Sequence, residues 1–535
     1  MTAVSSEVPA PLAAREVHES GLRVSRRVAI AAIGIVVAIA VVMRFATTSH
    51  LWLDEALTVN IAGLPLRNLP TALRHDGSPP LYYAMLHVWM RVFGTGDVAV
   101  RALPGVLGVV AIPLAYLCGG GLRSAGRQFD RRAAVTTMLV VATSPWAIRY
   151  STENRMYSLA IVLVLLGILV VMKAMRSPTP GALAAVALAA AALLYTTYWA
   201  FFLLGVVGVV LVVWCSRAQP AQRGTPVRLT IAVIAGGALF VPWLPIFVTQ
   251  LRHTGTPWST GPKPIAFVTT ITQFGGANYW AGRVLTVLLA ASAVIALSGW
   301  AIPRVSPKAT AVGTRRVRIA FTIGATTLLV GVGEAMLSNT AYQVRYAAVV
   351  FPFAALVAGS VLLEPRVRTV VVSAVVAFGL VAAQHWITLE RTASPYVAAF
   401  INANAHAGDV VVYCPDQVGP ATTRLIRESL GLRQLTFPTA GSPRFVNWTD
   451  YAKRNEAADP LAFERTVLAG ARTSTIWVAW SPSYLTYGTK CEELLGDLTR
   501  DRPPARNVVP VRGNVEHLML VEFDPPSKPS GQASG

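Results

Sequence analysis

The sequence is poor in charged residues, and acidic residues are the scarcer kind. Asp, Glu, Lys and Arg make up only 13% of the 535 residues, whereas hydrophobic residues make up 54%. A soluble globular protein carries about twice that share of charge, so this class is excluded. The 46 basic residues exceed the 26 acidic ones and give a net charge of +20. They lie in short clusters between apolar runs, which is typical of cytoplasmic loops and does not indicate nucleic-acid binding.

Cysteine is also scarce, and its spacing predicts no metal site. The four cysteines are Cys118, Cys215, Cys414 and Cys491, and no two of them have metal-ligand spacing. Cys414 and Cys491 lie in the same polar region, where they form either a disulfide or two buried thiols. No cleavable signal peptide is expected, because the segment before Arg27 is polar and too long for the charged start of one. The first apolar run is therefore expected to remain as a membrane helix.

Apolar runs long enough to cross a bilayer recur along the chain. They predict an α-helical polytopic membrane protein with about 11 spans, followed by a small α/β domain. The predicted spans are 28–46, 98–118, 133–150, 157–173, 181–198, 199–215, 229–248, 283–302, 319–337, 346–363 and 369–388. The two runs that meet at Tyr195–Phe202 are almost continuous, so that boundary is the weakest.

The basic clusters predict the orientation of these spans. Arg26 and Arg27 precede the first span, which places the N-terminus in the cytoplasm. Leu81–Phe93 is too short to span and contains His87 and Arg91, so it is predicted to be an amphipathic helix on the outer surface. With Leu81–Phe93 on the outer surface, every basic cluster between the spans is predicted to lie on the cytoplasmic side. The protein is thus predicted to be a multi-pass plasma-membrane protein.

Composition divides the chain into four parts. Residues 1–27 are expected to be a disordered cytoplasmic tail, and 28–390 the membrane domain, with a first external loop at 47–97. Residues 391–525 have ordinary polarity and predict an external α/β domain, and 526–535 a flexible tail. Strands are predicted at 410–414, 475–480 and 517–523, and helices at 421–430 and 459–471. Asp459 followed by Pro460 is typical of a helix N-terminus.

Unusual polar residues collect on the external face in this topology. Asp54 and Glu55 end the first span side by side, and acidic residues at a membrane surface are costly unless they are used or paired. The RYSTENRMYSLA segment adds Glu153 and Arg155. Arg345 stands at a span edge, where it either anchors to lipid phosphates or binds an anionic ligand through bidentate hydrogen bonds.

The motifs LWLDEA, HDGSPPLYYAMLHVWMRVFG, DVAVRALPGVLG, SPWAIRYSTENRMYSLA and QVRYAAVVFPF occur in this order over the first 390 residues. This order resembles the GT-C superfamily of glycosyltransferases, in particular the protein O-mannosyltransferases and the aminoarabinose transferases of lipid A. The resemblance implies transfer of a sugar from a polyprenyl phosphate carrier on the external face. It also implies that Asp54 is the catalytic carboxylate.

The chemistry of such a transfer assigns expected roles. Asp54 would deprotonate an acceptor hydroxyl, and a direct in-line attack would invert the anomeric centre. Arg345 would hold the donor phosphate, with Arg155 as the second choice. Glu55 either supports Asp54 or points away into water, and the latter is favoured. The predicted substrate-binding residues are Glu55, His75, Asp76, Tyr82, Glu153, Arg155, Tyr157, Tyr342, Arg345 and Tyr346.

Several alternatives stay open. Some relatives use a divalent cation, for which Asp54, Asp76 and Glu153 offer oxygen ligands, but their spacing predicts no metal site. Mannose is the first choice of donor sugar and arabinofuranose the second, and the acceptor is a cell-envelope glycan, glycolipid or protein. The composition is typical of high-GC bacteria such as actinobacteria. A transporter or flippase of lipids or sugars, or a non-catalytic scaffold of envelope synthesis, would also be polytopic.

Overall fold

A computed structural model describes residues 26–123, 129–255, 261–298, 307–361, 363–502, 505–512 and 515–525. The predicted tails, 1–27 and 526–535, lie outside these ranges apart from Arg26 and Arg27. Up to residue 388 the described chain is helical, and after it helices alternate with the strands of one sheet.

The membrane part contains seventeen α-helices in the described residues. In chain order they are α1 (Arg26–Met43), α2 (Leu53–Ala62), α3 (Leu69–Arg74), α4 (Leu81–Phe93), α5 (Asp97–Leu122), α6 (Arg131–Thr143), α7 (Pro145–Ser151), α8 (Tyr157–Arg176), α9 (Pro180–Leu194), α10 (Ala200–Arg217), α11 (Gly224–Ala238), α12 (Leu244–His253), α13 (Ile265–Phe274), α14 (Trp280–Ser298), α15 (Pro307–Leu337), α16 (Phe351–Gly359) and α17 (Pro365–Thr388). A 3-10 turn, Val344–Val349, precedes α16.

Eight helical segments of the described chain are long and apolar enough to cross a membrane. They are α1, α5, α8, α10, the α11–α12 pair, α14, α15 and α17, and each overlaps a predicted span. The other three predicted spans, 133–150, 181–198 and 346–363, are also helical but shorter or interrupted. Many of the large hydrophobic side chains on α1, α10 and α11 are exposed, as expected for surfaces that face lipid tails.

Local sequence explains where the interrupted helices break. Within the predicted span 133–150, α6 ends at Thr143 and α7 begins two residues later. The Ser144 hydroxyl accepts a hydrogen bond from the backbone N–H of Ala147, 3.2 Å away, and Pro145 occupies the first helical position. Both features favour a new helix N-terminus. The uncertain boundary near Tyr195 is likewise a break, since α9 ends at Leu194 and α10 begins at Ala200.

The short amphipathic helix α4 occupies Leu81–Phe93, as predicted, and does not cross the helical bundle. At its start the Leu81 N–H bonds to the Tyr195 carbonyl, 2.9 Å away. Towards its end the Trp89 indole donates to the Ala99 carbonyl at 2.8 Å. Tyr195 directly follows α9 and Ala99 lies in the first turn of α5, so both ends of α4 meet the ends of longer helices. Its location on the outer surface stays a prediction.

The C-terminal domain is a five-stranded sheet flanked by short helices. Its strands are β1 (Val410–Cys414), β2 (Arg433–Thr436), β3 (Ile476–Trp480), β4 (Ala505–Arg512) and β5 (Leu518–Phe523). Its helices are α18 (Ser394–Asn404), α19 (Gly419–Thr423), α20 (Tyr451–Glu456), α21 (Pro460–Gly470) and α22 (Lys490–Asp501). The strand order is β2-β1-β3-β5-β4; β1 is parallel to β2 and β3, and β5 is antiparallel to β3 and β4.

The sequence located three of these strands and one helix closely. The predicted strands correspond to β1, β3 and β5, and Asp459 caps α21 by accepting from the backbone N–H groups of Leu461 and Ala462. The predicted helix 421–430 is wrong over most of its length, because α19 ends at Thr423 and only a 3-10 turn follows. Cys414 and Cys491 form a disulfide, which decides between the two alternatives for these residues.

Candidate active site

Asp54 stands at the start of α2, directly beside Arg345. Its carboxylate lies 3.2 Å from the Arg345 guanidinium, and both side chains remain partly exposed, at 18% and 26%. Asp54 is the second residue of α2, where the helix N-terminus favours a negative charge. The two residues come from opposite ends of the membrane part and were predicted separately as base and phosphate ligand. The structure brings them together as an ion pair.

Aromatic rings surround the Arg345 guanidinium. Its centre lies 5.5 Å from the Trp52 ring and 6.0 Å from the Tyr346 ring, distances at which a cation is attracted to an aromatic face. Its Nε atom is buried without a hydrogen-bond partner in the described part of the chain. Tyr342 packs against Tyr346 with ring centres 6.5 Å apart, and its hydroxyl lies 2.6 Å from that of Thr270. Arg345 is thus fixed in position while it retains an unused donor.

Glu55 is completely buried, so the expectation that it points into water is wrong. Arg101 binds its two oxygens at 2.8 and 2.5 Å, and the backbone N–H of Asn154 adds a third bond at 2.7 Å. Arg391 lies 3.6 Å away. Burial opposes ionisation of this carboxyl, but the arginines and the hydrogen bonds outweigh it and leave the pKa of Glu55 below its usual value. Glu55 therefore anchors α2 and supports the neighbouring Asp54.

The segment between α7 and α8 packs under the same helix. Arg155 donates to the Thr58 hydroxyl at 2.7 Å, and Thr58 in turn donates to the Asp54 carbonyl at 2.6 Å. Glu153 is 2% exposed, and one of its oxygens has no partner among the described residues. Burial raises the pKa of Glu153, although Arg391 and Arg149 counteract this. Arg155 is therefore linked to Asp54 through the hydrogen bonds of Thr58.

Three predicted tyrosines occupy different positions around the site. Tyr82 is buried and donates to the side-chain carbonyl of Asn154 at 2.7 Å. The buried Tyr157 packs edge-on against Tyr150, with ring centres 4.8 Å apart. Tyr346 lies beside Arg345. Tyr82 and Tyr157 thus both pack against residues 150–154.

Asp76 and His75 occupy separate places. Asp76 accepts a hydrogen bond from the Tyr83 hydroxyl at 2.7 Å, and Tyr83 lies 3.2 Å from Arg155. His75 instead faces the C-terminal domain, where its ring bonds to the Thr449 hydroxyl at 2.9 Å. Asp76 is therefore connected to the site through Tyr83 and Arg155, whereas His75 contacts the C-terminal domain. Their expected role on the acceptor side stays a prediction.

Sequence reasoning missed several residues of this site. Arg101 and Tyr83 lie within the quoted motifs but carried no individual signal, and Arg391 follows the last span. Two others, Tyr484 and Glu516, belong to the C-terminal domain and approach Asp54. Nothing in the local sequence around these two distinguishes them from ordinary polar residues of a small domain.

The residues considered for a divalent cation do not form a ligand set. Asp54 is engaged by Arg345, Asp76 accepts from Tyr83, and Glu153 is buried. Across the described ranges there is no group of three or more His, Cys, Asp or Glu side chains that could hold a metal ion.

Comparisons with known proteins agree with the sequence motifs. Residues 77–246, or 170 of 535, match the family described as dolichyl-phosphate-mannose-protein mannosyltransferase. Among solved structures, apo ArnT from Cupriavidus metallidurans superposes with a TM-score of 0.59 at 14% identity, over 92% of this chain and 98% of that one. ArnT from the same organism bound to undecaprenyl phosphate gives 0.57 at 14% identity, with the same coverage.

No curated protein matches the sequence. Identity at this level establishes the fold alone, and the family match covers the segment from the residues just before α4 to the start of α12. The chain therefore shares the fold of ArnT.

Proposed function

We propose that the protein is an inverting glycosyltransferase that moves a sugar from a polyprenyl phosphate carrier to a cell-envelope acceptor, with Asp54 as the general base. The observation that carries this proposal is the Asp54–Arg345 pair, 3.2 Å apart at the N-terminus of α2. It places a carboxylate and a cation side by side, which are the two groups that the reaction requires.

The reaction balances as a single displacement. The acceptor hydroxyl gives its proton to an Asp54 oxygen while its own oxygen forms a bond to the anomeric carbon. The bond from that carbon to the phosphate oxygen breaks, and its electron pair stays with the departing polyprenyl phosphate. The Arg345 guanidinium stabilises this charge. A phosphate that binds the Arg345 guanidinium competes with Asp54 for it. Binding of the donor therefore leaves the Asp54 carboxylate free to act as the base.

The comparisons support the donor class. The ArnT structure with undecaprenyl phosphate supports a polyprenyl phosphate carrier, and the name of the matching family supports mannose as the first choice of sugar. Arabinofuranose is the second choice. The disulfide of the C-terminal domain supports an oxidising compartment on the Asp54 side of the membrane.

The test uses full-length protein in lipid vesicles with radiolabelled polyprenyl-phosphate-mannose or -arabinofuranose and an envelope extract as acceptor. We expect transfer by the wild type and a loss of about 10²- to 10⁴-fold in Asp54→Asn, because Asn cannot accept the proton. Asp459→Asn is the matched control, since Asn caps a helix as well as Asp does. Equal activity of Asp54→Asn and the control would overturn Asp54 as base. Transport of the labelled lipid without transfer would instead support the flippase alternative.

A further inference from the structure

Trp52 lies directly before the helix that carries Asp54. It occupies the N-cap position of α2 with an extended backbone, and its side chain makes no capping hydrogen bond. Only 8% of the residue is exposed. Nothing in the local sequence distinguishes it from the tryptophans that anchor helices at a membrane surface. Those residues keep their polar edge in contact with water, whereas Trp52 is enclosed by the protein.

The indole N–H of Trp52 is buried and has no hydrogen-bond partner among the described residues. An indole nitrogen can only donate, and a buried indole N–H usually has an acceptor. Trp89, for example, donates to the Ala99 carbonyl at 2.8 Å. Trp243 donates to the Tyr198 hydroxyl at 3.1 Å. The unused donor of Trp52 is therefore a feature that a bound ligand would explain.

Trp146 also has a buried indole N–H without a partner in the described ranges, but its surroundings differ. The rings of Phe351, Phe274 and Tyr150 lie around it, with ring centres 4.9, 5.3 and 4.4 Å away. These neighbours suit aromatic packing. Trp52 instead has a charged group next to its ring, so its unused donor lies where an anionic ligand is expected.

The neighbour of Trp52 holds a second unused donor. The centre of the Arg345 guanidinium lies 5.5 Å from the Trp52 ring, and its Nε is also buried without a partner in the described part of the chain. Another nitrogen of the same guanidinium lies 3.2 Å from the Asp54 carboxylate. The two neighbouring side chains therefore each hold an N–H group that no acceptor of the described chain uses. Donors beside the positive end of a helix favour a ligand that only accepts, such as an ionised phosphate.

We propose that Trp52 is a substrate-binding residue, whose indole N–H donates to an oxygen of the carrier phosphate that Arg345 also binds. This inference rests on the proposed function, since it adds a residue to the donor site. Each bond to a phosphate oxygen spans about 2.9 Å, so one phosphate can reach both neighbouring side chains.

The charges at the site explain why a neutral donor is useful there. A bound phosphate brings a second negative group next to Asp54, so the single guanidinium of Arg345 then faces two anions. Hydrogen bonds to an ionised group are stronger than those between neutral groups. The indole N–H of Trp52 therefore strengthens binding of the phosphate, and it makes no bond to Asp54 that would have to break first.

The test measures binding of polyprenyl phosphate, and of polyprenol as the same chain without phosphate, to the full-length protein in lipid vesicles. Replacement of Trp52 by 3-benzothienylalanine keeps the size and face of the ring but exchanges the N–H for sulfur. We expect the dissociation constant for polyprenyl phosphate to rise about 10-fold or more, as for a lost hydrogen bond to a charged group. The dissociation constant for polyprenol and the thermal midpoint should stay unchanged, because no bond within the protein is lost. Trp52→Phe should weaken phosphate binding at least as much.

Trp89→Phe is the matched control, since it removes an indole N–H that bonds within the protein. It should leave the affinity for both lipids unchanged. Equal affinity for polyprenyl phosphate in the wild type and the benzothienylalanine protein would overturn the proposal. An equal loss of affinity for polyprenol would also overturn it, because Trp52 would then only shape the surface that holds the lipid chain.

Because the readout is binding, this inference and the proposed function can fail separately. Weaker phosphate binding without the N–H, in a protein that transfers no sugar, would support the Trp52 contact and contradict the transferase proposal alone. Sugar transfer by the wild type, together with full phosphate affinity of the benzothienylalanine protein, would overturn the Trp52 contact and leave Asp54 as the base.

Discussion

Asp54 and Glu55 are adjacent at the start of α2 but have different surroundings, which suit one to proton transfer and the other to holding the helix in place. Asp54 points to a partly exposed space beside Arg345, whereas Glu55 is buried against Arg101. Successive residues of a helix face different directions, so neighbours in sequence meet different environments. The carboxylate that keeps access to solvent can exchange protons with a substrate, and the buried one fixes the backbone that carries it.

Removal of the Glu55 charge should unfold or strongly destabilise the protein. Glu55→Gln leaves Arg101 and Arg391 buried without their counter-charge. Breaking a buried ion pair at one partner costs about 3–5 kcal/mol. We expect the thermal midpoint in detergent to fall by several degrees, whereas the exposed Glu492→Gln should leave it unchanged. An unchanged midpoint in Glu55→Gln would mean that the carboxyl is not ionised in the fold.

Replacement of Arg345 by Lys should weaken binding of the donor carrier although the charge is kept. A lysine cannot bind a phosphate through two parallel hydrogen bonds, as the planar guanidinium of Arg345 can. We expect the dissociation constant for polyprenyl phosphate to rise about 10-fold or more, a loss of ~1.4 kcal/mol. Arg252→Lys, on the exposed face of α12, is the control. Equal affinity in both variants would remove Arg345 from the phosphate site.

At the scale of elements, the site is assembled by short helices at one end of the long ones. Helices α2, α3 and α4 lie between α1 and α5, and the 3-10 turn before α16 supplies Arg345. Close packing of the long helices holds this end together. In one example, a Cβ on Gly108 of α5 would overlap the hydroxyl of Ser151 at the end of α7, so only glycine permits this approach.

The disulfide between β1 and α22 should be needed for the C-terminal domain to stay folded. It closes a loop of 77 residues, which restricts the unfolded chain by about 4–5 kcal/mol in the chain-entropy description. Cys414→Ser with Cys491→Ser should make the domain sensitive to limited proteolysis while the membrane helices remain intact. Ser at the free Cys215 is the control. Unchanged proteolysis of the double variant would show that the sheet is stable without the bond.

The whole molecule has two different ends. Asp54, the loop before α8 and the C-terminal domain meet at one end through contacts such as that of Arg391 with Thr152. At the other end the Arg123 side chain donates to the Ser360 carbonyl at 2.9 Å. The first contact joins two predicted external segments, and the second joins the predicted cytoplasmic loop at Arg123 to the end of α16. Which end faces the cytoplasm stays a prediction from the basic clusters.

That orientation can be measured directly. A reporter that is active only outside the cytoplasm, fused after residue 525, should be active in cells, and the same reporter fused before residue 26 should be inactive. The physical reason is the excess of Arg and Lys in loops of the Arg123 end, which retains that end in the cytoplasm. The reverse pattern would place the site in the cytoplasm and would remove the external polyprenyl phosphate donor from the proposal.

Local sequence alone predicted eight of the long apolar helices, the helix α4, three strands and the cap of α21, because periodicity and capping act over a few residues. A charge at a membrane surface is costly, which drew attention to Arg345 and to the Asp54–Glu55 pair; the choice of Asp54 as base came from the family resemblance. Only the tertiary structure decided that Glu55 is buried, that Arg345 pairs with Asp54, and that Cys414 pairs with Cys491. Each of these depends on contacts between segments far apart in the chain, which no local pattern records.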